Sequence, residues 1–398
     1  MYCILTSGRL FESPYGEERY TLSLAKWLSK QKLEVVIIGA TFSGVRAEYL
    51  PFSEKNENKK DNQKLRALNP PYLIYTMSRW YLSLLFFFKI LSINRKTPLK
   101  LIHAQDSGYS GIAAVMAGKI LKIPVIVSAH IIRHKALDPI LEGSRFKKIL
   151  VRLEYNIDNF TVRNADSVIA INPFIKEYYE KIIGKTIQFI PNPIKTQDFE
   201  FSYTDRSLTR KYLGIDEQTK LIGYVGRLSP EKNITTLLDS FARVIEDNPS
   251  VRLAILGMGP QESLLKEVVR KHHMEDKVIF RTFIKDIHGF YSSLDIFVLP
   301  SFEEGMPTVL LEAMSSGRAI ICSNIPGNQV LITHNSEGLV FDPHNSKELA
   351  DDIHLLLTDD SLRSRLGNNA KIKSSEYNEE VVFFKILHLY SALTKKAM

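Results

Sequence analysis

Two carboxylates, Glu304 and Glu312, bracket the stretch EEGMPTVLLE at residues 303–312, with Gly305 and Pro307 between them. The run DIFVLPS (295–301) just before it reads as a strand, which puts Glu304 past a strand's carboxyl end. Pro307 suits the first turn of a helix, where its missing N–H costs nothing, so a helix is expected to begin over Met306 to Thr308. The free amides and positive dipole end of such a helix favour an anion, a phosphate above all. Glu312 follows Thr308 by a little over one turn. One carboxylate on the loop and one on the helix would accept hydrogen bonds from the hydroxyls of two sugars flanking a diphosphate. That arrangement fits a nucleotide sugar.

A second stretch, GRLSPEKN (226–233), follows the strand-like LIGYV (221–225) in the same manner. Gly226 permits close backbone approach, Arg227 can grip a diphosphate through two donors, and Lys232 adds a point charge. Together the two cations would stabilise a departing nucleoside diphosphate. No Asp-x-Asp pair occurs in the chain, so the carboxylate pair that often holds a divalent metal on such a diphosphate is missing. Fixed cations are expected to do that electrostatic work, with no metal and no other cofactor.

Further candidates lie in the first half. His130 ends the strand PVIVSA (124–129) and His103 ends KLIHA (100–104), both where ligands of doubly wound sheets bind. A purely structural role suits either one equally well. Gly257 and Gly259 in ILGMGP (255–260) superficially match a dinucleotide loop, but Glu262 stands where a third small residue is needed, which argues against a nicotinamide site.

The elements that must position these residues alternate along the whole chain. Short apolar runs such as YCILT (2–6), EVVIIGA (34–40), SVIAI (167–171), IQFIP (187–191), VRLAIL (251–256), KVIF (277–280), AIIC (319–322) and GLVF (338–341) are separated by helical periodicity. This is the pattern of parallel sheets covered by helices on both faces. After LIGYV, residues Ile234, Leu237, Leu238, Phe241, Ala242 and Ile245 share one helix face at three- and four-residue steps. A chain of 398 residues exceeds one typical core, and the polar stretch KTQDFEFSYTDRSLTRKYLG (195–214), after PNP at 191–193, places a junction near residue 200. Expected domains are therefore 1–200, 201–375 and a terminal helix over 376–398. Two such doubly wound domains are expected to face each other across a cleft.

Composition narrows the functional classes. Two isolated cysteines, Cys3 and Cys322, form neither a disulfide framework nor a metal site, and MYCILTSG at the start lacks the pattern of a signal peptide. A reducing cytoplasm is the expected location. Net charge is +8, with residues 1–200 holding 29 Lys+Arg against 18 Asp+Glu, or +11, and the remainder 23 − 26 = −3. A basic first half suits phosphates, an acidic polymer or an anionic membrane surface, and equally an ordinary solvated face. The most apolar run, WYLSLLFFFKIL (80–91), is too short to span a bilayer and is interrupted by Lys89. It reads either as a buried helix or as an interfacial one, flanked by Arg79, Lys89, Arg95 and Lys96. The polar run SEKNENKKDNQK (53–64) reads as a loop.

The pairing of GRLSPEKN with PSFEEGMPTVLLEAMSSG (300–317) resembles family four of the retaining glycosyltransferases, which have the GT-B fold of two Rossmann-like domains. ILGMGP, FIPNPI (189–194) and NEEVVFFKILHLY (378–390) resemble the same family's glycine turn, the segment leading into its hinge and its last helix. The resemblance implies that Glu304 contacts the transferred sugar, Glu312 the ribose, and Arg227 with Lys232 the diphosphate. Met306, Pro307, Thr308 and Ile284 join the donor-binding set on the same ground, and His130 matches the family's active-site histidine. The family's first loop carries two adjacent glycines where this chain has Tyr15 and Gly16, so Gly16 alone is left to bring an amide to a phosphate, and Arg19 has a structural role at least. Implied is a retaining transferase, independent of metal, that moves sugar from a nucleoside-diphosphate (UDP-type) donor bound by the C-terminal domain. The acceptor is a glycan or a lipid-linked glycan of cell-surface polysaccharide or lipopolysaccharide biosynthesis, held by the N-terminal domain, with peripheral membrane contact and no nucleic-acid partner. The alternatives are a nucleotide-sugar epimerase on a similar fold and a non-catalytic nucleotide- or glycan-binding protein.

Overall fold

The computed structural model describes residues 1–6, 16–41, 44–50, 72–137 and 147–396. They form two compact units, one of Met1–Pro191 with Phe383–Met398, the other of Asn192–Val382. Tyr15 and the run 53–64 lie outside the described residues, as do the side chains of Arg19, Arg79 and Trp80.

In the first unit β1 (Tyr2–Thr6), β2 (Val35–Thr41), β3 (Gly44–Leu50), β4 (Leu101–Ala104), β5 (Val125–Ala129), β6 (Ser167–Ala170) and β7 (Gln188–Phe189) lie in the order β3-β2-β1-β4-β5-β6-β7. The central strands are continuous apolar runs because helices cover both faces of the sheet; β4 and β5 are buried along their full length. All pairings are parallel but one: β3 runs antiparallel to β2, with Val36 opposite Tyr49. This edge strand was not expected from sequence. Val45 and Ala47 pack on the core, but Arg46 and Glu48 interrupt them, so the strand offers no apolar run to read.

In the second unit β8 (Leu221–Val225), β9 (Arg252–Leu256), β10 (Val278–Arg281), β11 (Ile296–Leu299), β12 (Ala319–Ser323) and β13 (Leu339–Phe341) are all parallel, in the order β10-β9-β8-β11-β12-β13. The helix Ile234–Asp247 buries Ile234, Leu237, Leu238 and Phe241 of the expected face, together with Val244, while Ala242 and Ile245 are half-buried. In both sheets the chain starts at a central strand, builds outward one way and then crosses to the other side. The reversal leaves a switch point between β1 and β4 and another between β8 and β11, where carboxyl ends diverge into a crevice.

The boundary between units falls at Pro191 and Asn192, earlier than residue 200. Its physical reason is the short helical turn Thr196–Phe199, which packs in the second unit: the Phe199 ring lies 4.5 Å from His288 and 5.7 Å from Tyr291. Beside it the chain returns, with Glu379 N–H donating to the Ile194 carbonyl at 3.0 Å and Asn378 Nδ2 to Thr196 Oγ1 at 2.7 Å. The helix Glu379–Lys396 is then anchored in the first unit, where Tyr390 stacks on Tyr2 at 5.4 Å and Phe384 meets the Trp27 ring edge-on at 4.9 Å.

Candidate functional site

The loops that follow β8 and β11 adjoin the second unit's switch point, and the structure stitches them together. Phe302 N–H donates to the Glu231 carbonyl at 2.8 Å, and Asn233 Nδ2 donates to the carbonyls of Pro300 at 3.1 Å and Pro343 at 2.8 Å. Across this seam Lys232 Nζ lies 2.7 Å from Glu304 Oε1, and the Ser301 hydroxyl donates to the same oxygen at 2.7 Å. Thus the lysine and the first carboxylate, 72 residues apart in sequence, share one hydrogen-bonded cluster.

The loop after β8 is held from behind. Its backbone continues the sheet ladder, with Gly226 N–H donating to the Leu256 carbonyl at 3.0 Å and Leu228 N–H to that of Met258 at 2.9 Å. A side chain at Gly257 would put a Cβ 1.8 Å from the Gly226 carbonyl, so this glycine exists for close packing of the two loops. Gly257 and Gly259 thereby serve architecture, in place of any dinucleotide. The buried phenol of Tyr224 donates to the Arg227 carbonyl at 2.9 Å, while the Arg227 side chain is exposed.

The helix on which Glu312 stands runs over Thr308–Ser315. Pro307 sits at its cap in the extended region, φ −73° and ψ 119°, so the helix begins at Thr308 and Met306 and Pro307 precede it, one position later than the proline pattern implies. Met306 is buried and gripped by Asn192, whose Nδ2 donates to the Met306 carbonyl at 3.1 Å and whose N–H meets its sulfur at 3.3 Å. Glu312 is fixed by the Tyr291 phenol, which donates to its Oε2 at 2.6 Å. Burial first, then the Glu312 charge, pushes the phenol of Tyr291 well above its ordinary range, which keeps it a donor. Ile284 is buried after β10, two strands from β8. Tyr291 and Asn192 escape sequence reasoning because what marks them is a partner far along the chain, whereas Tyr224 and Ser301 have near partners, Arg227 and Glu304, and read only as strand and loop residues.

In the first unit, Gly16 is the first residue of the helix Gly16–Lys30. His130 follows β5, its Nε2 buried with no hydrogen-bond partner among the described residues and its ring edge-on to Tyr20 at 5.8 Å. Burial pushes its pKa down to about 4 against the opposing charge of Asp106, so the imidazole is neutral near pH 7. His103 differs. Its Nδ1 pairs with the Tyr390 hydroxyl at 2.7 Å and its Nε2 with Ser128 Oγ at 2.8 Å, which fills both nitrogens and gives it the structural role.

Beside His130 lies a cluster absent from the sequence reading. Arg133 reaches Glu154 at 3.1 Å and Asp106 at 3.7 Å, Tyr109 donates to Glu154 at 2.8 Å, and Tyr179 donates to Asp158 at 2.6 Å. It ties the loops after β4 and β5 to the helix Lys147–Asn164.

Comparison with known proteins agrees with this architecture. The family model described as glycosyltransferase family 4 matches residues 15–198, and that described as glycosyl transferases group 1 matches 205–373. The chain is 26% identical over 368 residues to the UDP-Gal:alpha-D-GlcNAc-diphosphoundecaprenol alpha-1,3-galactosyltransferase of Escherichia coli, covering 90% of this chain and 88% of that one. Over 298 residues it is 27% identical to the alpha-monoglucosyldiacylglycerol synthase of Streptococcus pneumoniae, covering 73% of this chain and 66% of the relative. Two further relatives are matched over 54% and 53% of their length. Sucrose-phosphate synthase from Thermosynechococcus elongatus superimposes with a TM-score of 0.79 at 20% identity, over 99% of both chains, which establishes the fold. With its solved neighbour showing the GT-B architecture and family models matching 15–198 and 205–373, the chain belongs to the family 4, group 1 glycosyltransferases.

Proposed function

We propose that the protein transfers a sugar, with retention of anomeric configuration, from a uridine-diphosphate donor to a glycan or lipid-linked acceptor of cell-surface polysaccharide. The observation that carries this reading is the Lys232, Glu304 and Ser301 cluster at the switch point, with Arg227 exposed beside it and Glu312 held on the neighbouring helix. Arg227 and Lys232 receive the diphosphate as it departs, Glu304 holds the sugar's hydroxyls and Glu312 the ribose. Met306, Pro307 and Thr308 bring the backbone of the helix start to the phosphates. The acceptor belongs to the first unit, where the neutral His130, its Nε2 unpartnered among the described residues, can hydrogen-bond a sugar hydroxyl. On this reading the two cations do the electrostatic work of a metal, and the transfer is independent of metal. Relatives whose names specify UDP-galactose with a diphosphoundecaprenol acceptor, and a diacylglycerol product, support the donor class and the lipid-linked acceptor.

Two measurements test it. Nucleotide sugars should raise the melting temperature by mass action, and the stabilising one should be consumed when undecaprenyl-diphosphate glycans or diacylglycerol are supplied. Glu304→Ala is expected to abolish transfer with nucleoside diphosphate still bound, whereas Glu312→Ala chiefly weakens nucleotide binding. Equal loss of diphosphate affinity in both would overturn the division of roles.

The helix Tyr72–Lys96 supports a membrane-facing acceptor. Ser83, Phe86, Ile90 and Ile93 are buried on one face, while Tyr81, Leu84 and Phe88 are 60%, 56% and 61% exposed on another. Helix Tyr109–Leu121, packed against it, exposes Met116 and Ile120. Neither helix contains an acidic residue, and Arg95 and Lys96 end the first in solvent. The buried and interfacial readings therefore apply to opposite faces of one helix. No helix among the described residues is long and apolar enough to cross a membrane. An apolar strip with basic flanks suits an anionic bilayer surface, each cation contributing about 1 kcal/mol. Paired Lys89→Glu and Arg95→Glu substitution should cut flotation with phosphatidylglycerol vesicles and transfer to lipid acceptors, leaving donor binding intact. An absence of flotation at low salt would make the acceptor a soluble glycan.

A further inference from the structure

Within the second unit the Lys232 ammonium is already neutralised. Its partner, Glu304, is an internal carboxylate, and the two side chains are only 21% and 11% exposed. Ser301 holds the acceptor oxygen in place at 2.7 Å, and a Cβ on Gly327 would come within 2.1 Å of the Glu304 carbonyl, so the backbone behind the carboxylate is closely packed. Asn233, next to Lys232, is fixed to two carbonyls. Neither charge can withdraw far. Arg227, by contrast, is exposed and makes no ion pair among the described residues.

This inference rests on the donor-site reading above, in which the cation faces the diphosphate and the carboxylate faces the sugar. A diphosphate entering that site competes with Glu304 for Lys232, and its own charge is set against the carboxylate that remains. We propose that Glu304 is a built-in counterion that lowers the site's affinity for a bare nucleoside diphosphate and so makes the site select the intact donor and release the product. Sugar hydroxyls of the donor donate to the carboxylate oxygens and replace the hydrogen bonds that Lys232 withdraws. Lys232 then turns to the diphosphate at no loss to Glu304. Once the sugar has moved to the acceptor, the carboxylate loses the sugar's donors and keeps that of Ser301 beside an anion. Repulsion between them, and the return of Lys232 to Glu304, both favour departure of the diphosphate. The same pair thus acts twice in a cycle, first in discrimination and then in release.

Calorimetry on the full chain with UDP, GDP, ADP and dTDP tests this. Glu304→Gln retains the size of the side chain and an acceptor for Ser301 while removing the charge; Glu304→Ala removes the charge by a second route should the first variant fail to fold. The diphosphate that binds the wild type is expected to bind either variant about five- to tenfold more tightly, the size of effect expected for unmasking one partly buried cation. Glu303→Gln, an exposed neighbour of the same charge, is expected to change affinity by less than about twofold. With Lys232→Met already present, the gain from Glu304→Gln should shrink by at least half, since no masked cation remains to be released. Unchanged or weaker diphosphate binding in both Glu304 variants overturns the proposal, as does an equal gain in Glu303→Gln, which would make it a matter of overall charge. If none of the four diphosphates binds the wild type, it is the donor-site reading that fails.

Discussion

Replacing Arg227 or Lys232 by alanine is expected to slow sugar transfer by about a hundredfold or more, the usual cost of removing a preorganised electrostatic stabiliser. The two losses are unequal for a structural reason. Arg227 stands on a loop fixed by its own carbonyl, which accepts from Tyr224 at 2.9 Å, so its removal deletes one cation and leaves the loop in place. Lys232→Ala does more, because it also frees the Glu304 carboxylate that Lys232 holds at 2.7 Å and leaves a bare negative charge facing the diphosphate. Lys232→Ala should therefore be the more damaging single variant, and Glu304→Gln should restore part of its diphosphate affinity. Rates measured with saturating donor separate loss of leaving-group stabilisation from loss of binding. On the proposed reading, in which Arg227 and Lys232 do the electrostatic work of a metal, a chelator should not abolish wild-type transfer. Full activity in the double variant would refute the clamp; strict dependence on added divalent metal would refute the metal-free part.

How much of this was legible in the sequence depended on whether the signal was local. LIGYV and DIFVL announce β8 and β11 because central parallel strands are buried on both faces and so read as unbroken apolar runs. Arg227 and Glu304 lie in the loops that follow those two strands, so the same local signal puts both near strand carboxyl ends. Edge strand β3 carries no such signal because Arg46 and Glu48 interrupt its apolar residues, and the helix starts one residue after Pro307 because proline tolerates the cap as well as the first turn. The grip of Asn192 on Met306 and of Tyr291 on Glu312 spans 114 and 21 residues. Such partners carry no local pattern; only the folded backbone brings them together.

The buried cluster around Arg133 is the extreme case, and replacing its centre should have the largest effect on stability. Asp106, Arg133, Glu154 and Asp158 come from two loops and a helix, and each would read in isolation as an ordinary surface charge. In the folded unit all four are largely buried, and the Arg133 guanidinium lies flat on the loop backbone, where a Cβ on Gly108 would come within 2.5 Å of its central carbon. Arg133→Met preserves much of the volume and removes the charge, leaving buried carboxylates without a cation at a cost of about 3–5 kcal/mol. A shift of several degrees in the melting temperature should result. Its pH dependence distinguishes lost charge from lost packing. Burial already pushes Asp158 up to about 6 in the intact protein, and without the opposing charge of Arg133 it binds a proton more readily still. A carboxylate raised in the folded state favours folding below its unfolded value near 4 and opposes it increasingly as pH rises towards its folded value. The deficit of Arg133→Met should accordingly be greatest near pH 7 and shrink as pH falls towards 5. Transfer should drop as well, because His130 stands on the loop that Arg133 anchors, while diphosphate binding in the second unit remains unchanged. A deficit that is independent of pH would show that Arg133 matters only as bulk, and the cluster would lose its electrostatic role.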